Sequence, residues 1–222
     1  IVSATRMPES FAPMMWAALA VTLVYFALTA WRPSMMNLPL TVAATLVILV
    51  LGLAPSETAR EIVRKPWVAG RFVYANQIVG RDVPALEVKS ELPVLSKNGF
   101  LATHPFIPEN LRKPESKWER LEAGRLISIA ACSSCHSLTD TGIRPIAKYF
   151  PAEADAAGIK DWLSAGLYRG HIVYMPPLPL PELDRDVMSE FLAEIIAVQK
   201  TDPQRAASYA VKGFPKDFVG GK

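Results

Sequence analysis

The sequence predicts an all-α protein with three parts: a hairpin of two membrane-spanning helices, an extended arm and a C-terminal helical domain. Half of its 222 residues are hydrophobic and its mean hydropathy is +0.19, which is more apolar than is usual for a soluble domain of this size. Residues 1–56 carry only three charged side chains, whereas residues 57–222 carry 22 Lys and Arg and 20 Asp and Glu. This division separates a membrane part from a water-soluble part.

Two uncharged runs predict the membrane hairpin. Residues 11–31 contain no charged side chain, and a helix of that length can cross a hydrocarbon core of about 30 Å. Residues 33–56 are again uncharged and rich in Val, Leu, Ile and Ala. We therefore expect residues 1–56 to form a two-helix transmembrane anchor. The alternative is a single span followed by a buried or interfacial helix, because the second run is short and contains Pro39.

Residues 57–115 are predicted to form an extended arm. They contain six prolines and scattered charges, and after residue 66 they contain no apolar run long enough for a full helix. A segment of this length without its own core is usually disordered or laid against another protein. Aromatic side chains favour the second case, since disordered arms are poor in them; they are Trp67, Phe72, Tyr74, Phe100 and Phe106. We expect this arm to pack on partner subunits.

Helical periodicity returns at residue 116. Ser116 and Glu119 have the spacing of a capping box, and apolar residues then recur at helical intervals. A second amphipathic helix is predicted to begin near Pro181. Residues 116–199 are therefore expected to form the C-terminal domain. Residues 200–222 are polar with weak periodicity, so we expect a tail that is loose or draped over a partner.

The charge pattern argues against a nucleic-acid partner. The formal net charge is only +3, and the basic residues of the soluble part are interspersed with acidic ones. Nucleic-acid binding requires basic side chains gathered in a patch or stripe. We therefore expect no nucleic-acid partner.

Both cysteines and one of the three histidines lie in the stretch Cys132-Ser133-Ser134-Cys135-His136. Two thiols separated by two residues can reach the two vinyl groups of a haem and form thioethers. The next residue then falls beneath the iron, where an imidazole can act as an axial ligand. The motif therefore predicts one haem c, attached through Cys132 and Cys135, with iron ligated by His136.

Zinc binding or a disulfide is the competing interpretation of the two cysteines. A structural zinc site needs four ligands, and His104 and His171 are the remaining good donors, each without a partner nearby in the sequence. A thioredoxin-like site would follow a strand, whereas a helix is predicted before this motif. Haem attachment is therefore favoured. His104, within the arm, is expected to be structural or to lie at an interface.

Met175 is the predicted sixth ligand of the iron. The two prolines that follow it prevent a helix and hold its thioether in an extended loop. Thioether ligation raises the reduction potential relative to ligation by two histidines. His171, four residues earlier, is the rival ligand.

Residues 116–199 resemble the small single-haem cytochrome c domains of class I. The features follow in the same order: a helix with a glycine, the sequence CSSCH, a proline, KDWLSAG, MPP and a closing amphipathic helix. The resemblance implies that the first and last helices cross where Gly124 faces Phe191. It also implies that the carbonyl group of Pro145 contacts His136.

A second, shorter resemblance covers the membrane junction. The stretch ETAREIVRKPWVAGRFVYANQI is similar to a segment of subunit I, the haem-bearing subunit, of cytochrome bd quinol oxidases. In those enzymes a glutamate four residues after the tryptophan serves a haem, whereas here Arg71 occupies that position. The resemblance therefore transfers no haem ligand, and what it implies is a common origin of the membrane hairpin.

The resemblance to cytochromes c implies a location. Haem is attached to such domains on the outer face of the energy-transducing membrane. We therefore expect a multi-pass protein of a bacterial-type inner membrane, with residues 57–222 on the periplasmic face.

The expected function is electron transport by a subunit of a respiratory complex of the quinol-oxidising or terminal oxidase type. Its partners would be other integral membrane subunits and a soluble electron carrier. The sequence offers no nucleophile, general base or open metal position, so no catalytic residue and no activity of this chain alone are expected. The alternatives are a ligand-binding haem c enzyme or a gas or redox sensor with a labile sixth ligand, and a scaffold subunit whose haem is structural.

Overall fold

The computed structural model describes residues 11–64, 67–140, 142, 144–150, 155–165 and 175–218. This part of the chain is mostly helical, as predicted. Its elements, in chain order, are α1 (Phe11–Trp31), α2 (Leu38–Arg64), β1 (Val68–Ala69), β2 (Val73–Tyr74), α3 (Leu92–Thr103), α4 (Lys117–Cys132), α5 (Ala156–Ala165), α6 (Glu182–Thr201) and α7 (Pro203–Lys212). Helices α1 and α2 belong to one compact unit, and the elements from β1 to α7 belong to another.

The first unit is a pair of helices that pack on each other across a short 3₁₀ turn, Pro33–Met35. Both helices are long and apolar enough to cross a membrane, over Ala12–Trp31 and Leu38–Glu57. Helix α2 continues to Arg64, eight residues beyond the predicted boundary of the anchor. Its polar extension contains an ion pair between residues one helical turn apart, in which Nε of Arg60 donates to the carboxylate of Glu57 at 2.7 Å.

Much of the arm folds onto the helices of its own chain. Six of its side chains are buried in the same apolar cluster as α4 and α6: Ile78, Leu95, Phe100, Leu101, Ile107 and Leu111. The expectation of no helix in this segment was wrong, since α3 lies there. Pro93 occupies the first turn of α3, where a proline costs no hydrogen bond, and Gly99 divides the helix by a kink. Contact of the arm with partner subunits stays a prediction.

A buried carboxylate joins the arm to α6. Gly99 has a φ of +71°, so the chain turns there and α3 resumes with the amide groups of Phe100 and Leu101. These amides donate to Oδ2 of Asp184, in the first turn of α6, at 2.5 and 3.4 Å. Asp184 is only 2% exposed. Burial raises the pKa of Asp184, while the two amide hydrogen bonds act in the opposite direction.

Helices α4 and α6 cross at a glycine, as the resemblance implied. A Cβ atom at Gly124 would lie 2.6 Å from the carbonyl carbon of Val187 and 2.8 Å from Cβ of Phe191, and it would overlap the Val187 carbonyl oxygen. Phe191 is fully buried. The backbone of α4 therefore approaches α6 to a distance that no other residue type would allow.

The C-terminal segment is packed, so the expectation of a loose tail was wrong. Helix α7 turns Ala206, Tyr209 and Ala210 toward the core. Asp202 caps its start and Pro203 lies in its first turn, two local signals for a helix that the expectation of a loose tail did not use. Phe214 follows α7, is 5% exposed, and its carbonyl accepts a hydrogen bond from the indole N–H of Trp118 at 2.9 Å. Arg125 of α4 also donates to the carbonyl of Val211, at 3.1 Å.

Replacing Gly124 by Ala should destabilise the helical unit by about 1–3 kcal/mol, because the new methyl group forces α4 away from α6. The matched control is Gly158→Ala in α5, where the nearest atom is a carboxylate oxygen of Asp155 at 3.3 Å that can move. That control should be neutral or slightly stabilising. Thermal unfolding of both variants in detergent measures the difference. Equal melting temperatures for the two variants would contradict the close crossing.

Replacing Asp184 by Asn tests the buried carboxyl group. Because its folded pKa is raised, the folded chain keeps this proton to higher pH than the unfolded chain does. The stabilisation that results is complete below the unfolded pKa and is lost as the pH rises through the folded pKa. Relative to Asp184→Asn, the native protein should therefore lose unfolding free energy as the pH rises above about 4, by at most about 1.4 kcal/mol per pH unit. Unfolding curves at several pH values check this. A difference that stays constant or grows with pH would show the opposite sign.

Candidate functional site

The cysteine motif begins at the C-terminal end of helix α4, where Cys132 lies in the apolar core. The predicted capping box is present: the hydroxyl of Ser116 accepts from the amide of Glu119 at 3.2 Å, and the Glu119 carboxylate accepts from the Ser116 amide at 2.9 Å. The helix ends at Cys132, whose carbonyl accepts the amides of Cys135 and His136 at 3.0 and 2.9 Å. Both cysteines and the histidine are thus held within one turn of chain.

The two cysteines are free thiols in different surroundings. Cys132 is buried and Cys135 is partly exposed. Burial, with a smaller contribution from Cys135, raises the pKa of Cys132 to about 12, so this thiol is protonated at neutral pH. The described residues contain no cluster of three or more His, Cys, Asp or Glu that could hold a metal ion. An ion bound by His136 would therefore need further ligands from a cofactor or from other parts of the chain.

The imidazole of His136 is oriented by a backbone carbonyl. Its Nδ1 lies 3.1 Å from the carbonyl oxygen of Arg144, which favours the tautomer with hydrogen on Nδ1 and a lone pair on Nε2. Burial lowers the pKa of His136; the Arg144 carbonyl opposes this effect, and the positive charge of Arg144 adds to it. The ring also meets Tyr149 edge to face, with centroids 5.0 Å apart. A neutral imidazole with Nε2 available is the form that binds iron.

The contact to His136 comes one residue earlier than expected. Arg144 has a φ of +50°, which turns its carbonyl toward the imidazole. The carbonyl of Pro145, which the resemblance assigned to this contact, accepts the amide of Lys148 at 3.1 Å and so begins the 3₁₀ turn Ile146–Tyr149. The sequence signal for Pro145 therefore marks the right loop, while its neighbour makes the contact.

Met175 lies where the chain enters the core. It is half-buried and packs against the central apolar cluster, and the two prolines after it are buried in a segment without regular structure. The prediction that the two prolines after Met175 prevent a helix there is therefore confirmed. Ligation of iron by Met175 stays a prediction. The rival ligand, His171, lies outside the described residues.

The arm covers one side of the cysteine motif. A cavity of about 760 Å³ lies between them, with Ser133 and Ser134 on one wall and His104 on another. The His104 ring stands between the rings of Phe100 and Phe106, with centroids 5.7 and 5.6 Å away, which agrees with a structural role. Asn76 of the arm also donates to the carbonyl of Ala131 at 3.0 Å, just before the motif. This contact joins residues 55 positions apart, and no sequence pattern indicated it.

Arg144 is the site residue that the sequence did not reveal. Its Nη1 is buried and has no hydrogen-bond partner in the described part of the chain. A guanidinium nitrogen in that state suits a neighbouring anion, and a haem carries two propionate groups. The carbonyl contact that orients His136, the two thiols outside any disulfide and this unsatisfied donor are compatible with a covalently attached haem.

Comparisons with known proteins do not assign a cofactor to these residues. No family model, no curated protein and no solved structure matches the chain. A cofactor at the motif is therefore indicated only by the spacing of Cys132, Cys135 and His136 and by the geometry around them.

Proposed function

We propose that this chain is a membrane-bound c-type cytochrome that transfers single electrons through one covalently attached haem. The observation that carries the proposal is the motif at the end of α4, with two unpaired thiols and an imidazole whose Nδ1 is tied to a carbonyl. This arrangement supplies two attachment points and one axial ligand from five consecutive residues. A disulfide would leave the orientation of His136 unexplained. A zinc ion would use that imidazole but would need a fourth ligand, and the described residues contain no group of three His, Cys, Asp or Glu that could hold a metal ion.

Each residue of the site has a defined role. Cys132 and Cys135 attach the porphyrin as thioethers, His136 ligates the iron through Nε2, and Met175 supplies the sixth ligand. Pro145 starts the turn that fixes the loop beside His136. A haem held in this way supplies an iron that accepts and releases one electron without a change of ligands.

The chain around the motif favours electron transfer over catalysis. The core formed by α4, α5 and α6 contains Cys132, and Met175 packs against it, so the two segments that bear ligands are held by the same helices. The described residues of the site include no nucleophile beyond the two thiols, and those are used for attachment. The apolar surroundings of His136 keep its imidazole neutral, as an iron ligand must be.

The two apolar helices support a permanent place in a membrane complex. We place the chain in a bacterial-type inner membrane with both helices spanning it and the haem domain on the outer face, where c-type haem is attached. Its partners are other integral membrane subunits of a respiratory complex, of the quinol-oxidising or terminal oxidase type, and a soluble electron carrier.

Purification of the chain from membranes in mild detergent tests the proposal. Acid-acetone extraction should leave the pigment on the polypeptide, and the intact mass should exceed the sequence mass by one haem. The oxidised protein should show the weak near-infrared band of methionine-ligated ferric haem. A colourless polypeptide of unmodified mass would overturn the proposal.

Met175→Leu separates an electron carrier from a ligand-binding haem protein. The variant should lose the near-infrared band, bind carbon monoxide readily and have a lower reduction potential, because the thioether ligand is gone. Met188→Leu is the matched control, since Met188 is fully buried in α6 as a packing residue. It should keep the native spectrum. If the unmodified protein already binds carbon monoxide, a sensor or haem enzyme is the better reading.

Subunits that co-purify with the chain identify its complex. Turnover of that complex should fall strongly in Met175→Leu and stay close to native in Met188→Leu. Unchanged turnover in both variants would favour a scaffold role in which the haem is structural.

A further inference from the structure

Arg144 combines two features that a surface arginine does not have. Its backbone adopts a left-handed conformation, with a φ of +50°, which costs a non-glycine residue about 1 kcal/mol or more. Its side chain turns Nη1 into the protein, where that nitrogen has no hydrogen-bond partner among the described residues. Glycine would relieve the backbone, so the conformation does not account for an arginine at this position.

A buried donor on a permanent cation requires an anion. The guanidinium group stays protonated at any relevant pH, and an unsatisfied charged donor inside a protein is costly. No carboxylate of the described residues is hydrogen-bonded to Nη1 of Arg144. The protein part described here therefore leaves Arg144 without its counter-ion.

The position of Arg144 indicates which anion it meets. Its own carbonyl oxygen lies 3.1 Å from Nδ1 of His136, and its positive charge is close enough to lower the pKa of that imidazole. A haem bound by His136 would therefore bring its carboxylates into the same region as this guanidinium group. Planar guanidinium and carboxylate groups form strong charge-assisted hydrogen bonds.

We propose that Arg144 binds a propionate carboxylate of the haem, so that one residue holds the proximal imidazole through its carbonyl and the porphyrin edge through its side chain. The inference depends on the proposed haem. The carbonyl of Arg144 faces His136 from a left-handed backbone, and Nη1 of the same residue is buried without a hydrogen-bond partner among the described residues. Arg144 is thus a cofactor-binding residue in addition to Cys132, Cys135 and His136.

Loss of this cation should change the reduction potential of the iron. A positive charge near the haem disfavours the ferric state, which carries one more positive charge than the ferrous state. Arg144→Gln should therefore shift the midpoint potential downward in an optical redox titration of the full chain. Arg144→Lys keeps the charge and should stay closer to the native potential, although it loses the paired donors of the guanidinium group.

Lys148→Gln is the matched control for the potential. Lys148 lies four residues further along the same loop and its side chain is exposed, so this variant removes an equal charge into solvent. It should shift the potential less than Arg144→Gln does, because water screens an exposed charge. Equal potentials in the native protein and Arg144→Gln, or equal shifts in both Gln variants, would overturn the inference.

A spectroscopic measurement on the unmodified protein covers the case in which Arg144→Gln fails to mature. The propionate bending band in the resonance Raman spectrum responds to hydrogen bonds at the carboxylate. It should differ between the native protein and the haem peptide released from it by proteolysis, in which Arg144 is cut away. An identical band in both samples would also overturn the inference.

The two proposals fail in distinguishable ways. If the native chain carries no covalent pigment, the proposed function itself is lost. If the pigment is present but neither the reduction potential nor the Raman band depends on Arg144, only the proposed propionate contact is rejected.

Discussion

The close approach of α4 and α6 at Gly124 is the constraint on which the helical unit depends. Without a Cβ atom there, the two backbones meet almost directly, and each helix carries one side of the site. Helix α4 ends in the cysteine motif, and α6 begins seven residues after Met175. The crossing therefore fixes the end of one helix relative to the start of the other. The arm and α7 then pack around this pair, through Asp184 on one side and Phe214 on the other.

The helix that carries the cysteine motif was predictable because its signals are local in the sequence. Cys132, Cys135 and His136 lie within five consecutive positions, and a capping box marks the start of the helix that leads to them. The contact to the imidazole was less accessible. Which carbonyl faces His136 depends on the φ angle of Arg144, and a side chain at that position does not reveal a left-handed backbone.

The parts that the sequence did not predict depend on tertiary contacts. Helix α3 contains Pro93 and is kinked at Gly99, so its apolar residues never form one continuous helical pattern, and it is held by a carboxylate 84 residues away. Single-sequence periodicity does not register a partner so distant along the chain. Helix α7 is the exception, because it directly follows α6 and its start carries the local signals of Asp202 as cap and Pro203 in the first turn.

The burial of Cys132 has a consequence for biogenesis. A protonated thiol that is 7% exposed reacts slowly with an alkene, since the thiolate is the nucleophilic form. In a haem-attaching chain, the bond to this sulfur would therefore form while Cys132 is still open to solvent, before the apolar core closes around it. Covalent maturation would then precede tertiary folding, and a chain that closed first would become a kinetic dead end with one sulfur out of reach.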